Sequence, residues 1–294
     1  MHELKFKRYS QSALNNYDLS VLIPSWNNLG HLKLCVSSIR THSSLKVQII
    51  VVVNEGSDGT LEWCKNAEDL DIVYFEQNAG ICYGLNACRA LIKSDWIVYM
   101  NDDMYVLPKW DTRLYHRALG FQSKAVALSG TLIEPEDTGN PCVVISDFGR
   151  DLETFNENEL IASAEKLKKE DWSGSTWPPL MLHIDYWDLV GGMSIEFSPG
   201  MYSDPDLSMK LYTAGLRDFI GVGSSLVYHF GSKSTGRIRK NTGRKAFLLK
   251  WGISSREFYK NQLFMGESVR KASTHTTGFI TRLKRAWFAL RSRS

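Results

Sequence analysis

The feature that most constrains this chain is a rhythm of short, almost wholly apolar runs through its first 130 residues. Residues 19–24, 47–53, 72–75, 96–100 and 125–128 each read as a strand. Between them, apolar residues return at helical spacing. Leu32, Cys35, Val36 and Ile39 mark one helix, a second follows Gly59, and Ile81, Leu85, Cys88 and Ile92 mark a third. Strands that are apolar on both faces and alternate with helices predict a parallel sheet covered on both sides. Ligands of such sheets bind beyond the carboxyl ends of the strands. Three polar clusters fall there: Ser25-Trp26-Asn27, Asn54-Glu55-Gly56-Ser57 and Asn101-Asp102-Asp103. The fold expected is therefore α/β, with one crevice at successive strand ends.

The second half is less regular. Residues 134–179 hold Asp147, Asp151 and several other acids, with a helix expected over 157–168 and a loop over 172–179. Pro205, after Asp204, opens a helix through Leu207 and Leu211 to Gly215. Residues 219–230 read as another strand region, and there is no internal repeat or low-complexity segment.

With 294 residues, 43% hydrophobic and 23% charged, the composition is that of a globular protein with one large domain and an appendage. The N-terminus lacks the apolar core of a signal peptide. No run approaches the roughly 18 apolar residues of a membrane span. Cys35, Cys64, Cys82, Cys88 and Cys142 form no C-x-x-C pair, which suits reduced, buried thiols of a cytoplasmic protein.

Charge is unevenly distributed. From Gly231 onward there are 16 Lys/Arg against Glu257 and Glu267, whereas the preceding part carries 19 basic and 30 acidic residues. A basic tail favours an anionic partner. Within it, residues 279, 280, 283, 287 and 290 are apolar on one helical face, with Arg282, Lys284, Arg285 and Arg291 mostly elsewhere. That pattern fits a peripheral helix on anionic lipid at the inner face of the membrane. It fits equally a helix docked on the acidic body or on a second copy in a homo-oligomer. No recognised motif accompanies the charge to suggest nucleic acid.

Several residues are candidates for chemistry. Asp102 and Asp103 end an apolar strand. On an extended backbone they point in opposite directions, so one could face a metal and the other a ligand hydroxyl. One or two carboxylates completed by substrate phosphates is the usual magnesium or manganese mode. A solvated strand terminus is the plainer alternative. Asp204 is either the N-cap of its helix or a general base at a fixed helix start. His229, ending an apolar strand, is a structural imidazole or a metal ligand. Asn78-Ala79-Gly80 is a plain turn or a set of N–H groups offered to phosphate. Trp172, Trp177, Trp187 and Tyr186 form either a stacking wall for an acceptor sugar or part of the core. Asp185 and Asp188 either bind acceptor hydroxyls or cap a helix.

In order along the chain, residues 20–27, 52–60, Asn78-Ala79-Gly80, Asn86, Asn101-Asp102-Asp103, 191–197, 204–210 and 227–232 resemble the family 2 glycosyltransferases of the GT-A fold. The likeness covers about residues 19–234. It implies a mostly parallel, Rossmann-like sheet covered by helices and an inverting sugar transfer from a nucleotide-diphosphate sugar to a glycan or lipid-linked acceptor. By that resemblance Asp103 matches the metal-binding last acid of the D-x-D motif, for Mn2+ or Mg2+. Asp102 matches its middle position near the donor, Asp204 the catalytic base, and His229 a further metal or diphosphate contact. Pro24, Ser25, Asn27 and Glu55 fall where the family lines the nucleoside pocket, and Asn78 and Gly80 beside the donor.

The chain departs from the pattern in three places. Asn101 holds the first D-x-D position. Asn54-Glu55 stands where an aspartate is usual, one residue shorter. Ser203 precedes the base where an acid is common. The domain reading is a catalytic domain over 1–234, with a nucleotide-sugar half at about 18–130 and an acceptor half at about 131–234, then a basic helical extension over 235–294. A sugar nucleotidyltransferase is the nearest enzyme rival. Its glycine-rich, arginine-containing loop is not matched by Pro24-Ser25-Trp26-Asn27-Asn28. A catalytically inactive nucleotide-sugar-binding module is the other alternative.

Overall fold

The structure is a computed structural model that describes residues 4–231 and 242–269. The expected interfacial helix over 279–291 and the boundary at 234/235 lie outside the described residues.

The strands are β1 (Phe6–Tyr9), β2 (Leu19–Trp26), β3 (Val47–Asn54), β4 (Leu70–Phe75), β5 (Trp96–Tyr99), β6 (Met104–Val106), β7 (Val126–Glu134), β8 (Val144–Ile145), β9 (Trp172–Ser173), β10 (Leu180–His183) and β11 (Asp218–His229). They form one sheet in the order β1-β4-β3-β2-β5-β10-β7-β11-β6. β4, β3, β2 and β5 are mutually parallel, as expected, and β11 runs parallel to β7. The sheet is mixed rather than wholly parallel. β10 inserts antiparallel between β5 and β7, while β1 and β6 close the two edges antiparallel.

Alternation along each apolar strand explains the two cores, because successive side chains leave a strand on opposite faces. Val21, Ile23, Val51, Val53 and Val98 enter one core, with Leu32, Cys35, Val36 and Ile39 of α1 (Leu29–His42). Their neighbours Leu22, Ile50, Val52, Ile97 and Tyr99 enter the other. α2 (Thr60–Lys65) follows Gly59, as expected, and α3 (Gly80–Ala87) passes directly into a short 3-10 turn ending at Leu91. α4 (Trp110–Leu119) adds Trp110 and Leu114 to the first core.

The irregular middle is fixed by an aromatic cluster. Phe155 stacks on Tyr228, Phe230 meets both rings edge-on, and the Tyr228 hydroxyl donates to Gly149 O at 2.7 Å. α5 (Glu157–Ser163) is shorter than the expected helix. The expected loop over 172–179 contains β9, paired with β11.

α6 (Ile184–Val190), α7 (Ser203–Thr213), α8 (Gly243–Trp251) and α9 (Ser255–Asn261) cover the second face. Phe247, Ile253, Phe258 and Leu263 lie in the second core, and residues 266–268 bond back to Ser173 and Trp172. The described start of the C-terminal extension is therefore packed into the body. All five cysteines are free and buried, and no described helix is long and apolar enough to cross a membrane.

The tryptophans do not form an acceptor wall. Trp172 and Trp177 stack on each other, and Trp172 is buried with its indole N–H donating to Thr131 Oγ1 at 3.0 Å. Trp187 is in the second core. Each ring finds apolar neighbours inside, and Trp172 also finds a polar partner there. Asp185 pairs with Lys124, and Asp188 with Arg89.

Candidate functional site

The crevice is built at the carboxyl ends of β2, β3 and β5. Asn101, Asp102 and Asp103 form the turn from β5 to β6, so the expectation of an extended pair is corrected: the chain reverses here within a few residues. Both aspartates are buried. The pairing of β6 with β11 sets His229 opposite Met104, and Phe230 N donates to Asp103 O. This register brings His229 Nε2 to 3.5 Å from Asp103 Oδ1. The other ring nitrogen lies 2.9 Å from Glu134 Oε1, at the end of β7.

Electrostatics follow from that row. Burial raises the Asp103 carboxyl, but His229 more than reverses this and holds it below its ordinary value. Burial lowers the His229 imidazole, yet Asp103 and then Glu134 carry it up to about 10 in the metal-free chain, so a cation bound at Nε2 would have to displace the proton held there.

The same row decides whether a metal fits. His229 Nε2 is buried and makes no directed hydrogen bond, although it faces Asp103. Glu134 at Nδ1 selects the ring orientation that leaves Nε2 as a donor atom, the usual arrangement behind a ligating histidine. Asp103 and His229 therefore suit a divalent cation. Among the described residues no three His, Cys, Asp or Glu side chains cage an ion. Substrate oxygens and water would complete the sphere, as Mg2+ and Mn2+ favour.

Asp204 approaches from the second core. It is not the helix cap: α7 begins at Ser203, and the residue before it, Tyr202, has φ 70 and makes no side-chain cap. The Asp204 carboxylate has one weak contact, Ser203 Oγ at 3.5 Å. Burial without a cation raises it to about 7. Asp206, fully buried, instead receives Trp251 Nε1 at 2.8 Å and Lys250 Nζ at 2.9 Å, anchoring α8 to α7. The buried Tyr99 side chain lies within electrostatic reach of Asp102, Asp103 and Asp204. After burial itself, its upward shift comes from Asp204, Cys82, Asp103 and Asp102.

At the other end of the crevice, β2 and β3 finish side by side. Pro24 and Ser25 are buried in β2, and Ser25 Oγ has no partner among the described residues. Trp26 Nε1 donates to Glu55 Oε2 at 2.8 Å, and Ser57 N donates to Asn27 Oδ1 at 2.9 Å. Asn27 (φ 47) and Glu55 (φ 68) both sit in the left-handed region, so this rim is held in an uncommon backbone shape.

The start of α3 does not offer its N–H groups to phosphate. Ala79 N donates to Asn54 Oδ1, Gly80 N to Asn78 Oδ1, and Ile81 N to Pro199 O. Asn78 and Gly80 instead shape the turn that seats the 198–199 loop.

Residues 20–159 match the family model described as Glycosyl transferase family 2. This segment belongs to glycosyl transferase family 2. Glycosyltransferase GlyA of Streptococcus pneumoniae is 26% identical over 108 residues, covering 36% of this chain and 16% of that protein. The chain thus spans about a sixth of that relative's length. GalNAc-T7, solved with UDP, GalNAc and Mn2+, superposes with a TM-score of 0.58 at 14% identity, over 92% of this chain and 54% of that one. Staphylococcus aureus TarS 1-349 gives 0.54 at 13% identity, over 72% and 60%. At such identities the likeness concerns the fold, which is of the GT-A type.

Glu134 and Tyr99 were not singled out from the sequence. Glu134 had a legible signal: like Asp102 and Asp103, it ends a long apolar run.

Proposed function

We propose that this chain is a metal-dependent, inverting glycosyltransferase that moves a sugar from a nucleotide-diphosphate sugar to a hydroxyl of a glycan or lipid-linked acceptor. The reading is supported by the Asp103–His229 pair at the strand ends and by Asp204, which acts electrostatically on the same Tyr99 hydroxyl as Asp103. Pro24, Ser25, Asn27 and Glu55 would receive the nucleoside, and Asp102 the donor ribose or sugar. Asp103 and His229 would hold Mn2+ or Mg2+, which supplies positive charge to the departing nucleoside diphosphate. Asp204 would take the acceptor hydroxyl's proton as that oxygen attacks the anomeric carbon from the face opposite the leaving diphosphate. A base near 7 is matched to that task, since about half of it is ionised at neutral pH and it holds a proton well.

The test has two parts. Titration calorimetry with a panel of nucleotide sugars and Mn2+ should show binding, and donor turnover should follow. Asp103→Asn should abolish metal-dependent turnover with the fold intact. Asp204→Asn should bind donor and fail to transfer. Near-normal transfer by Asp204→Asn would remove the base assignment, and binding with no turnover in the unmodified chain would favour the inactive module.

A further inference from the structure

We propose that the outer face of α8, with the adjoining rim of α6, docks on an anionic lipid surface. The proposal deepens the glycosyltransferase reading by assigning its acceptor to a membrane, and it rests on that reading only for the acceptor.

α8 has the sequence Gly243-Arg-Lys-Ala-Phe-Leu-Leu-Lys-Trp251. Gly243 and Phe247 face inward and are buried. Lys245 and Leu249, one helical turn apart, share the outward face. Leu249 is 67% exposed. Trp251 and Leu189, itself 65% exposed, line one shallow groove together with Val190. Lys250 reaches Ser194 and Glu196, on either side of Ile195, which is 48% exposed. Leu189 thus borders the groove of Trp251 and Ile195 lies between the two partners of Lys250, both at the end of the helix that carries Leu249. Single exposed leucines are ordinary, but a grouped set is the mark of an interaction surface.

Charge selects the occupant. Of the acids beside these side chains, Asp188 is paired with Arg89, and Glu196 shares Lys250 with Asp206. Arg244 and Lys245 are exposed and make no ion pair among the described residues. In sequence, residues 232–245 hold six Lys/Arg and no acid. Exposed apolar side chains beside the cations Arg244 and Lys245 fit anionic headgroups over acyl chains. The surface is also tied to the chemistry. Trp251 and Lys250 both bond Asp206, on the helix that carries Asp204. A membrane held by α8 would present a lipid-linked hydroxyl on the acceptor side of the crevice.

The full chain should co-sediment with phosphatidylcholine vesicles containing phosphatidylglycerol, more weakly as salt rises, and not with phosphatidylcholine alone. L189E/L249E should weaken that binding roughly tenfold or more, as expected for losing two inserted leucines. R244E/K245E should weaken it and flatten its salt dependence. Both variants should melt like the unmodified chain, since the altered side chains are exposed, and both should keep Mn2+-dependent nucleotide-sugar binding. That second readout separates failure here from failure of the glycosyltransferase reading. Three results would each overturn the proposal: no binding to the anionic vesicles, binding that L189E/L249E leaves unchanged, or a self-associated chain in solution that L249E disperses.

Discussion

Asp204 gives the sharpest prediction because its environment is unfavourable to its own charge. Its carboxyl is held at about 7, against 3.8 for a solvated aspartate. At about 1.4 kcal/mol per pH unit, ionising it inside the folded chain costs about 4 kcal/mol. This is an upper figure, because the crevice can relax and admit water. The sign follows from proton counting. Between about pH 4 and pH 7 the folded chain keeps a proton that the unfolded chain has released, so this group's contribution falls steadily as pH rises. Below that window both states are protonated, and above it both are ionised. Asp204→Asn keeps the shape and removes the titration. We expect Asp204→Asn to be more stable than the unmodified chain, with an advantage that grows by about 1.4 kcal/mol per pH unit from pH 5 to 7 and then levels off. Thermal melts of the two metal-free proteins at pH 5, 6, 7 and 8 would read it as a gap in Tm widening by about 5 °C or more. Comparing two proteins at each pH cancels every other titrating group. Melting curves that stay parallel across the range would refute the idea that the carboxyl is kept from its charge.

Other consequences follow from neighbouring contacts. Turnover should rise about tenfold per pH unit below about 7 and flatten above it, as the Asp204 carboxyl loses its proton; a profile flat from pH 5 to 8 would contradict it. Glu134→Gln should weaken Mn2+ binding by roughly ten- to a hundredfold, read by calorimetry, because the carboxylate orients the His229 ring. Unchanged affinity would leave Glu134 a purely structural partner. Gly80→Ala should lower stability by roughly 2 kcal/mol or more in urea unfolding, since φ is +78 and a Cβ would meet Ser198 Oγ at 2.5 Å and Pro199 Cα at 2.6 Å. An unchanged unfolding midpoint would mean that the 198–199 loop yields freely.

The parallel half of the fold was readable because burial on both faces writes itself as continuous apolar runs, and β2, β3 and β5 start and end within a residue or two of those runs. β6 and β10 were hidden for a different reason. They are three and four residues long, and their identity as strands comes from partners far away in sequence. The acids at the tip of β5 were visible, but their geometry was not. Whether two adjacent aspartates lie on a strand or in a turn depends on β11 arriving to pair with β6. The sequence left the Asn78-Ala79-Gly80 turn open between a plain turn and a phosphate site, because its N–H groups are taken by Asn54, Asn78 and Pro199, and two of those partners lie more than 20 residues away. The sequence left the tryptophans open between an acceptor wall and the core, because an indole packed inside a core looks, in sequence, like one facing a sugar.

The two halves of the candidate site make opposite use of the same side chain. Asp103 is buried beside an imidazole that Glu134 fixes from behind, and this keeps its carboxyl below its ordinary value and charged. Asp204 is half-buried, with the Ser203 hydroxyl as its one weak hydrogen-bond partner among the described residues, and desolvation raises its carboxyl to about 7. A carboxylate that stays ionised can attract a cation but is a poor proton acceptor. One that sits near 7 accepts a proton readily but adds little to metal binding. When two titratable groups in one crevice are driven apart in this way, their environments already distinguish the electrostatic role from the proton-transfer role. Lys250 makes the contrast deliberate in structural terms. It is drawn to Asp206, two residues from Asp204 on the same helix. Were that ammonium beside Asp204 instead, it would lower the carboxyl toward its ordinary range, and the proposed base would lose its grip on the proton it has to take.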